Sequence, residues 1–344
     1  MTKQIRRSDK DVKQVHSQVL QQVLLRLDKA YQAFFKRLTK YPKFKRKHHY
    51  NSFTYPQSGF KLNTQNNRIK LFSIGNVKIK LHRDIIGEIK QCSVIRDIDQ
   101  WYVCFSCDNY DNIITNNNKV IIKTKEPIGI DVGLISTITL SNGEKVENPR
   151  ILNKSIEKIK KLQRILSRKQ KGSHNRQKAR IQLARLWRKV RRQRLDFVHK
   201  LSTDLVRKYK PIIFEKLTIN NMVKNHRLAT SILNATWGKL YEMTAYKVER
   251  DGIDCFKIPP RDTTQRCSRC GLKSEVNKDL KNRIHKCLSC GLVMDRDHNA
   301  AINVLTLGLE QSNAENLPLL VQPKRKRISK FGTMKLEAHE LIRG

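Results

Sequence analysis

Ile128-Gly129-Ile130-Asp131-Val132-Gly133 sets a carboxylate inside an apolar run, beside glycines, where a solvated surface acid is not expected. The run reads as a short buried strand, with a second over residues 135–140. Asn142-Gly143 is a strong hairpin pair that leads into a third strand near Lys145. Further on, 151–200 reads as helix and 210–215 as another buried strand. Residues 228–250 are helical, with Ile232, Leu233, Trp237, Leu240 and Tyr241 on one face. A strand over 252–258 and a last helix from about His298 to Leu309 complete the order. The fold class is mixed α/β, compatible with a ribonuclease H-like sheet whose first three strands are antiparallel.

Toward the N-terminus, Val15, Val19, Val23, Leu27, Ala30, Phe34 and Leu38 recur at helical spacing and predict a helix over 10–40. Short β-prone runs follow at 52–56, 60–63, 68–72, 77–82, 88–97 and 100–107, the pattern of an antiparallel sheet or small barrel. Residues 111–119 (DNIITNNNK) read as a polar loop and a domain boundary. The tail from 310 is polar, with a basic run at Lys324-Arg-Lys-Arg327.

The 344 residues carry 71 Lys plus Arg against 30 Asp plus Glu, a formal charge of +41 that calls for a polyanionic partner, namely nucleic acid. No stretch approaches the roughly 18 consecutive apolar residues of a membrane helix, and MTKQIRRSDKDVKQ lacks the apolar core of a signal peptide. Between 151 and 200 there are 18 cations against only Glu157 and Asp196. Lys169, Arg176, Arg188 and Arg192 are the candidate phosphate contacts there, a solvated charged face being the plainer explanation.

Cys267-Ser-Arg-Cys270 and Cys287-Leu-Ser-Cys290 give C-x2-C twice, sixteen residues apart, and Gly271 and Gly291 follow each pair as a tight knuckle requires. Four thiolates with no open position make a structural zinc site. Cys104 and Cys107 are also C-x2-C, but an offset of three on a strand points them to opposite faces, so they read as ordinary thiols. Asp131, Glu215 at the end of an apolar strand, and Asp297 in Asp295-Arg-Asp-His-Asn-Ala-Ala301 form the candidate catalytic set. Each alone has another explanation: a turn cap, a partner for a Lys or Arg, a helix N-cap. Converging carboxylates are tolerable if cations hold them, and two Mg2+ ions would suit hydrolysis of a phosphodiester.

Gly129-Ile-Asp-Val-Gly133, Phe214-Glu-Lys-Leu217, Thr264-Gln-Arg-Cys-Ser-Arg-Cys-Gly271, Cys287-Leu-Ser-Cys-Gly291 and Asp295-Arg-Asp-His-Asn-Ala-Ala-Ile-Asn303 occur in that order. So do Met222-Val-Lys-Asn-His-Arg-Leu-Ala229, Ala235-Thr-Trp-Gly238 and Tyr246-Lys247. This set resembles the TnpB (OrfB) family encoded by insertion sequences, relatives of the type V CRISPR effector nucleases. The resemblance implies a Mg-dependent, RNA-guided DNA endonuclease in a prokaryotic cytoplasm. Asp131, Glu215 and Asp297 match the family's metal-binding catalytic acids, and Cys267, Cys270, Cys287 and Cys290 its zinc ligands. Implied partners are a guide RNA from the element end, target double-stranded DNA and a separate transposase protein, with no membrane.

It also implies four parts: a helical recognition-lobe segment (1–48), a β-rich wedge-like barrel (49–126), a RuvC-like nuclease domain (127–309) with an inserted zinc ribbon (262–294), and a basic tail (310–344). Only sixteen residues precede Ser17, so the chain reads as N-terminally shortened, with an incomplete barrel. A nuclease-inactive or truncated nucleic-acid-binding accessory protein is the alternative function. A directly acting transposase with a tyrosine nucleophile would need a His-x-His metal site, which the sequence lacks. A ribosome-associated zinc-ribbon protein gives no reason for three acids at strand ends.

Overall fold

The computed structural model describes residues 10–45, 49–85, 87–108, 125–259, 262–273 and 282–313. The predicted loop at 111–119 and the basic run at 324–327 lie outside them. Two compact units divide between Ile121 and Ile122.

In the first unit, the helix predicted over 10–40 is two helices, α1 (Lys10–Lys13) and α2 (Ser17–Phe35). The β-prone runs become β1 (Ser52–Tyr55), β2 (Phe60–Asn63), β3 (Arg68–Leu71), β4 (Gly75–Lys78), β5 (Glu88–Asp97) and β6 (Gln100–Asp108). They form two antiparallel three-stranded sheets, β1-β5-β6 and β2-β3-β4. Tyr55, Ile69, Leu71, Cys92 and Val94 share one core with Val19 of α2. Arg26 of α2 reaches β1, donating to the Ser52 carbonyl at 2.9 Å and the Thr54 hydroxyl at 3.1 Å.

The second unit contains β7 (Glu126–Val132), β8 (Ser136–Leu140), β9 (Lys145–Glu147), α3 (Ile156–Ser167), α4 (His174–Lys208) and β10 (Tyr209–Glu215). There follow α5 (Ile219–Met222), α6 (His226–Ala235), α7 (Trp237–Arg250), β11 (Cys255–Ile258), β12 (Ile284–Lys286), β13 (Val293–Asp295) and α8 (Arg296–Asn313). The main sheet has the order β11-β10-β7-β8-β9, with β7-β8-β9 antiparallel and β10 and β11 parallel to β7. The architecture is mixed α/β. The helix predicted over 228–250 breaks at Thr236, which takes a left-handed backbone (φ 57°) between α6 and α7. No helix among the described residues is long and apolar enough to cross a membrane.

Side-chain alternation builds three layers. Ile128 and Ile130 of β7 and Ile212 and Phe214 of β10 face a core with Val198, Leu201 and Leu205 of α4 and Leu240 and Met243 of α7. Ile213 faces the other way, packing with Phe256, Ile258 and Val304 of α8. Gly129 belongs to this second face. A Cβ there would lie 2.3 Å from the Ala301 carbonyl oxygen and 2.5 Å from the Leu305 nitrogen, so the α8 backbone sits directly on β7.

Between α4 and α7, buried Lys247 spends all three ammonium protons on the His199 carbonyl (2.8 Å) and the hydroxyls of Ser202 (2.7 Å) and Thr203 (2.6 Å). Burial, then the nearby Arg250 charge, lowers its pKa to about 8.

Two outcomes follow from this packing. Gly129→Ala should destabilise the second unit by about 1–3 kcal/mol or more, because helix backbone rather than a pliable side chain must yield. Gly238→Ala, whose Cβ meets only the Ile219 methyl at 3.3 Å, is the matched control, and equal urea midpoints for the two variants would refute the argument. For Lys247, the native state releases its proton near pH 8 and the unfolded chain near 10.5, so the unfolded state binds more protons in between and stability rises with pH. Wild type should therefore gain about 2–3 kcal/mol on Lys247→Met between pH 7 and pH 10 in paired urea titrations.

Candidate active site and metal centre

Strand alternation brings the acids to one face. On β7, Ile128 and Ile130 turn to the α4/α7 core, which leaves Gly129 and Asp131 toward α8. On β10, Ile212 and Phe214 do the same, which leaves Ile213 and Glu215 toward α8. The strands are parallel with Phe214 opposite Ile130, so Glu215 comes level with Asp131, one step further on. Asp297 arrives from the first turn of α8.

Asp131 is buried, and its carboxyl is held well above the ordinary carboxylate value. Burial is the main cause, followed by the negative charges of Glu215 and Asp297; Arg296 and the Val132 N–H act in the opposite direction and lose. Burial also raises Glu215, partly offset by the Thr263 hydroxyl donating to its Oε1 at 3.1 Å. Asp297 accepts from Arg283 Nη1 at 3.4 and 3.5 Å. Three oxygen donors that repel one another are a set that a hard cation would relieve.

The helix cap is Asp295, not Asp297. Asp295 Oδ1 accepts the His298 N–H at 3.0 Å, and Lys145 pairs with its other oxygen at 2.7 Å. Burial pushes Asp295 up, but these partners prevail and hold it below its ordinary value. With the cap supplied two residues earlier, Asp297 is released to face Asp131.

The four cysteines also converge: their Sγ atoms lie within 4.8 Å of one another, the one such ligand group among the described residues. They can hold a metal ion. The two halves repeat one backbone pattern. Cys267 N–H bonds to Leu272 O at 2.9 Å and Gly271 N–H to Cys267 O at 2.9 Å; Cys287 pairs with Leu292 and Gly291 with Cys287 at 2.9 and 3.1 Å. Gly271 and Gly291 take φ of +75° and +70°, a conformation that favours glycine. The N–H groups of Cys290 and Ser289 help to lower the Cys287 thiol to about 6. At Cys270 the Leu272 N–H acts downward, but burial and the three neighbouring thiols prevail and push it up to about 12, the two shifting in opposite directions as partners 3.5 Å apart. Cys104 and Cys107 lie apart on β6, opposite Ser93 and Ile89.

Three residues without a role in the sequence reading tie the centres together. Asn299 and Asn303 are buried one turn apart on α8. Asn303 Nδ2 donates to Thr263 O (2.8 Å) and Arg266 O (2.7 Å); Asn299 Nδ2 donates to Arg266 O (2.8 Å) while its Oδ1 accepts from Ser268 N (2.9 Å). The clamped segment includes Cys267 and, in Thr263, the hydroxyl that orients Glu215. The available signal was two amides at helical spacing inside Ala300-Ala301-Ile302 and Val304.

The four candidate phosphate contacts divide. Lys169 and Arg192 are exposed. Arg176 is turned inward, donating to the Leu166 and Lys169 carbonyls at 2.8 and 2.9 Å to close the end of α3, and Arg188 is buried. The carbonyl contacts of Arg176 and the burial of Arg188 give these two stems a packing part, as long cationic side chains commonly have.

Residues 115–226 match the OrfB_IS605 family, described as a probable transposase, and residues 237–304 match the Cas12f1-like TNB domain. A protein of Streptomyces pristinaespiralis named as an RNA-guided DNA endonuclease is 36% identical over 306 residues, 87% of this chain and 73% of its own. A protein of Escherichia coli K12, named as the RNA-guided DNA endonuclease InsQ, is 31% identical over 85% of this chain and 74% of its own. The solved complex of Cas12f1 with sgRNA and target DNA aligns with 62% of this chain and 55% of that one, at 20% identity and a TM-score of 0.39. By its identity to these relatives over most of its length, the chain belongs to the TnpB (OrfB) family.

Proposed function

We propose that this protein is an RNA-guided DNA endonuclease of a transposable element, cutting target DNA beside a short adjacent motif. The observation that carries the reading is the convergence of Asp131, Glu215 and Asp297, where burial disfavours the charge of Asp131 and of Glu215 and the other two acids push Asp131 further the same way. Family membership supports the same activity, since two relatives are named for it. The unit from β7 to α8 is the RuvC-like, ribonuclease H-like nuclease domain in this reading, supported by an antiparallel triplet flanked by two parallel strands. The segment carrying both cysteine pairs is its zinc ribbon, and the first unit supplies the wedge-like barrel and recognition segment.

The donor sets fit two different metals. Four sulfur ligands, two of them (Cys270 and Cys287) with backbone N–H groups aimed at them, suit structural Zn2+, and three carboxylates suit two Mg2+. Bound Mg2+ would supply water activation and charge stabilisation at the scissile phosphate. The chain's own residues do the rest. Thr263 orients Glu215, the Asp295 cap fixes the first turn of α8, and the Asn299 and Asn303 amides hold the loop between ribbon and acids. Exposed cations such as Lys169 and Arg192 hold phosphates, while base pairing to a guide RNA reads the target.

Plasmid cleavage tests the activity. Protein co-expressed with the DNA flanking its gene should cut plasmids carrying the guide-matched sequence beside a permissive flank in Mg2+, and Asp131→Ala should lower the rate by at least about 100-fold. Intact plasmids with RNA-loaded wild type would instead favour a binding-only accessory protein. The ribbon generates a second outcome. Elemental analysis should find one zinc per chain, absent from Cys267→Ser/Cys287→Ser, and the amides of His298 and Asn299 should lose hydrogen-exchange protection in that variant. Unchanged protection there would show that the ribbon does not support the start of α8.

A further inference from the structure

In the first unit, α2 ends in a reversal that exposes rings rather than burying them. Arg37 takes a left-handed backbone (φ 56°), with Leu38 N–H bonded to Ala33 O at 2.9 Å and Arg37 N–H to Phe34 O at 2.8 Å. This is the Schellman arrangement with arginine where glycine is usual, at a conformational cost of about 1 kcal/mol. The turn folds Tyr41 back onto the helix. Its ring meets Tyr31 edge-on at 5.8 Å and Phe34 at 5.4 Å, the two tyrosine hydroxyls lie 3.1 Å apart, and Phe35 stacks on Tyr31 at 6.2 Å. The outer members stay open to solvent, Phe35 at 73% and Tyr41 at 61%, and Phe44, three residues beyond Tyr41, is 94% exposed.

The surroundings narrow what can cover these rings. Lys29, Lys36, Arg37, Lys40, Lys43 and Lys45 are all exposed. No acid occurs between Asp28 and Asp84. A second copy of the chain would bring the same cations against themselves. A partner with planar apolar faces and a continuous negative backbone satisfies both features.

We propose that the exposed rings of Phe35, Tyr41 and Phe44 stack unpaired bases of an RNA strand whose phosphates lie on the lysines of the same segment. The choice of RNA rests on the proposed RNA-guided activity, in which the guide is the resident nucleic acid; the ring-and-cation geometry stands without it.

The test uses the full chain, freed of nucleic acid in high salt, and three probes of equal length: a 12-nucleotide oligoadenylate RNA, its abasic counterpart, and the corresponding single-stranded DNA. Wild type should bind the RNA more tightly than the abasic strand by about 5- to 100-fold, the range for stacking on an exposed aromatic ring. Phe35→Leu/Phe44→Leu should lose most of that preference without changing affinity for the abasic strand, and Phe35→Trp/Phe44→Trp should restore it. Both side chains are largely exposed, so folding is not at stake. A preference that survives the leucine variant, or tighter ring-dependent binding to the DNA, would overturn the proposal. So would a wild-type dimer in sedimentation that the leucine variant abolishes, because the rings would then serve self-association. Failure of wild type to bind any strand would count against the RNA-guided reading itself, and that reading is tested separately by Asp131→Ala.

Discussion

The close approach of the α8 backbone to Gly129 is the contact on which the rest of the second unit depends. At 2.3 Å from the position a Cβ would occupy, the Ala301 carbonyl leaves no side chain possible on β7 at that point. Gly129 lies two residues before Asp131 and Ala301 four after Asp297, so the contact fixes strand and helix at the height where their carboxylates meet. Gly308 repeats the device about two turns further along from Ala301, its Cβ position only 2.5 Å from the Ile213 side chain. The helix is therefore seated against the sheet at two points.

The seating alone does not place the first turn of α8, which lies beyond Gly129 toward the ribbon. There the ladder of β12 and β13 takes over. Ile284 pairs with Asp295, and Arg296 N–H bonds to Arg283 O at 2.8 Å, so the ribbon hands the chain directly into the helix. The asparagine clamp works from the opposite direction, since Asn299 and Asn303 reach back from the helix to the segment that carries Cys267. A buried amide without its partners is costly, which locks helix and loop into one arrangement. The cysteine cluster and the acids thus behave as one structural unit, although no residue belongs to both.

Much of this was legible because strand alternation carries it. Ile-Gly-Ile-Asp and Ile-Ile-Phe-Glu each announce an apolar face and a terminal acid, and a period of two puts both acids on the same side once the strands run parallel. Most strand bounds in the first unit were readable for the same reason, except β4, expected over 77–82 and found over Gly75–Lys78. Capping was harder: Asp295 and Asp297 are both plausible caps by sequence, and only the Lys145 pair and the His298 N–H separate them. The clamp was not readable, since an asparagine's partners lie more than thirty residues away. The burial of Arg188 was not readable either, because composition counts charges without saying which stems will pack. Thr236 breaks a continuous helical pattern by a left-handed backbone that its residue type does not signal.

A carboxylate raised in a chain of charge +41 appears contradictory until distance is considered. Exposed charges are screened within about 8 Å at physiological salt, whereas burial and two neighbouring acids act at contact range. The cations of α3 and α4 therefore cannot compensate Asp131, and the acids of that segment, Glu157 and Asp196, are already paired with Lys160 and Lys200 at 2.9 and 2.8 Å. Long-range positive charge and short-range negative charge are separate devices. The first attracts a polyanion and weakens with monovalent salt, as phosphate contacts do. The second is relieved only by a cation within ligand distance, which added monovalent salt in bulk solvent does not provide. Long-range attraction and short-range repulsion thus come from different residues, and the burial of Asp131 keeps the two from cancelling.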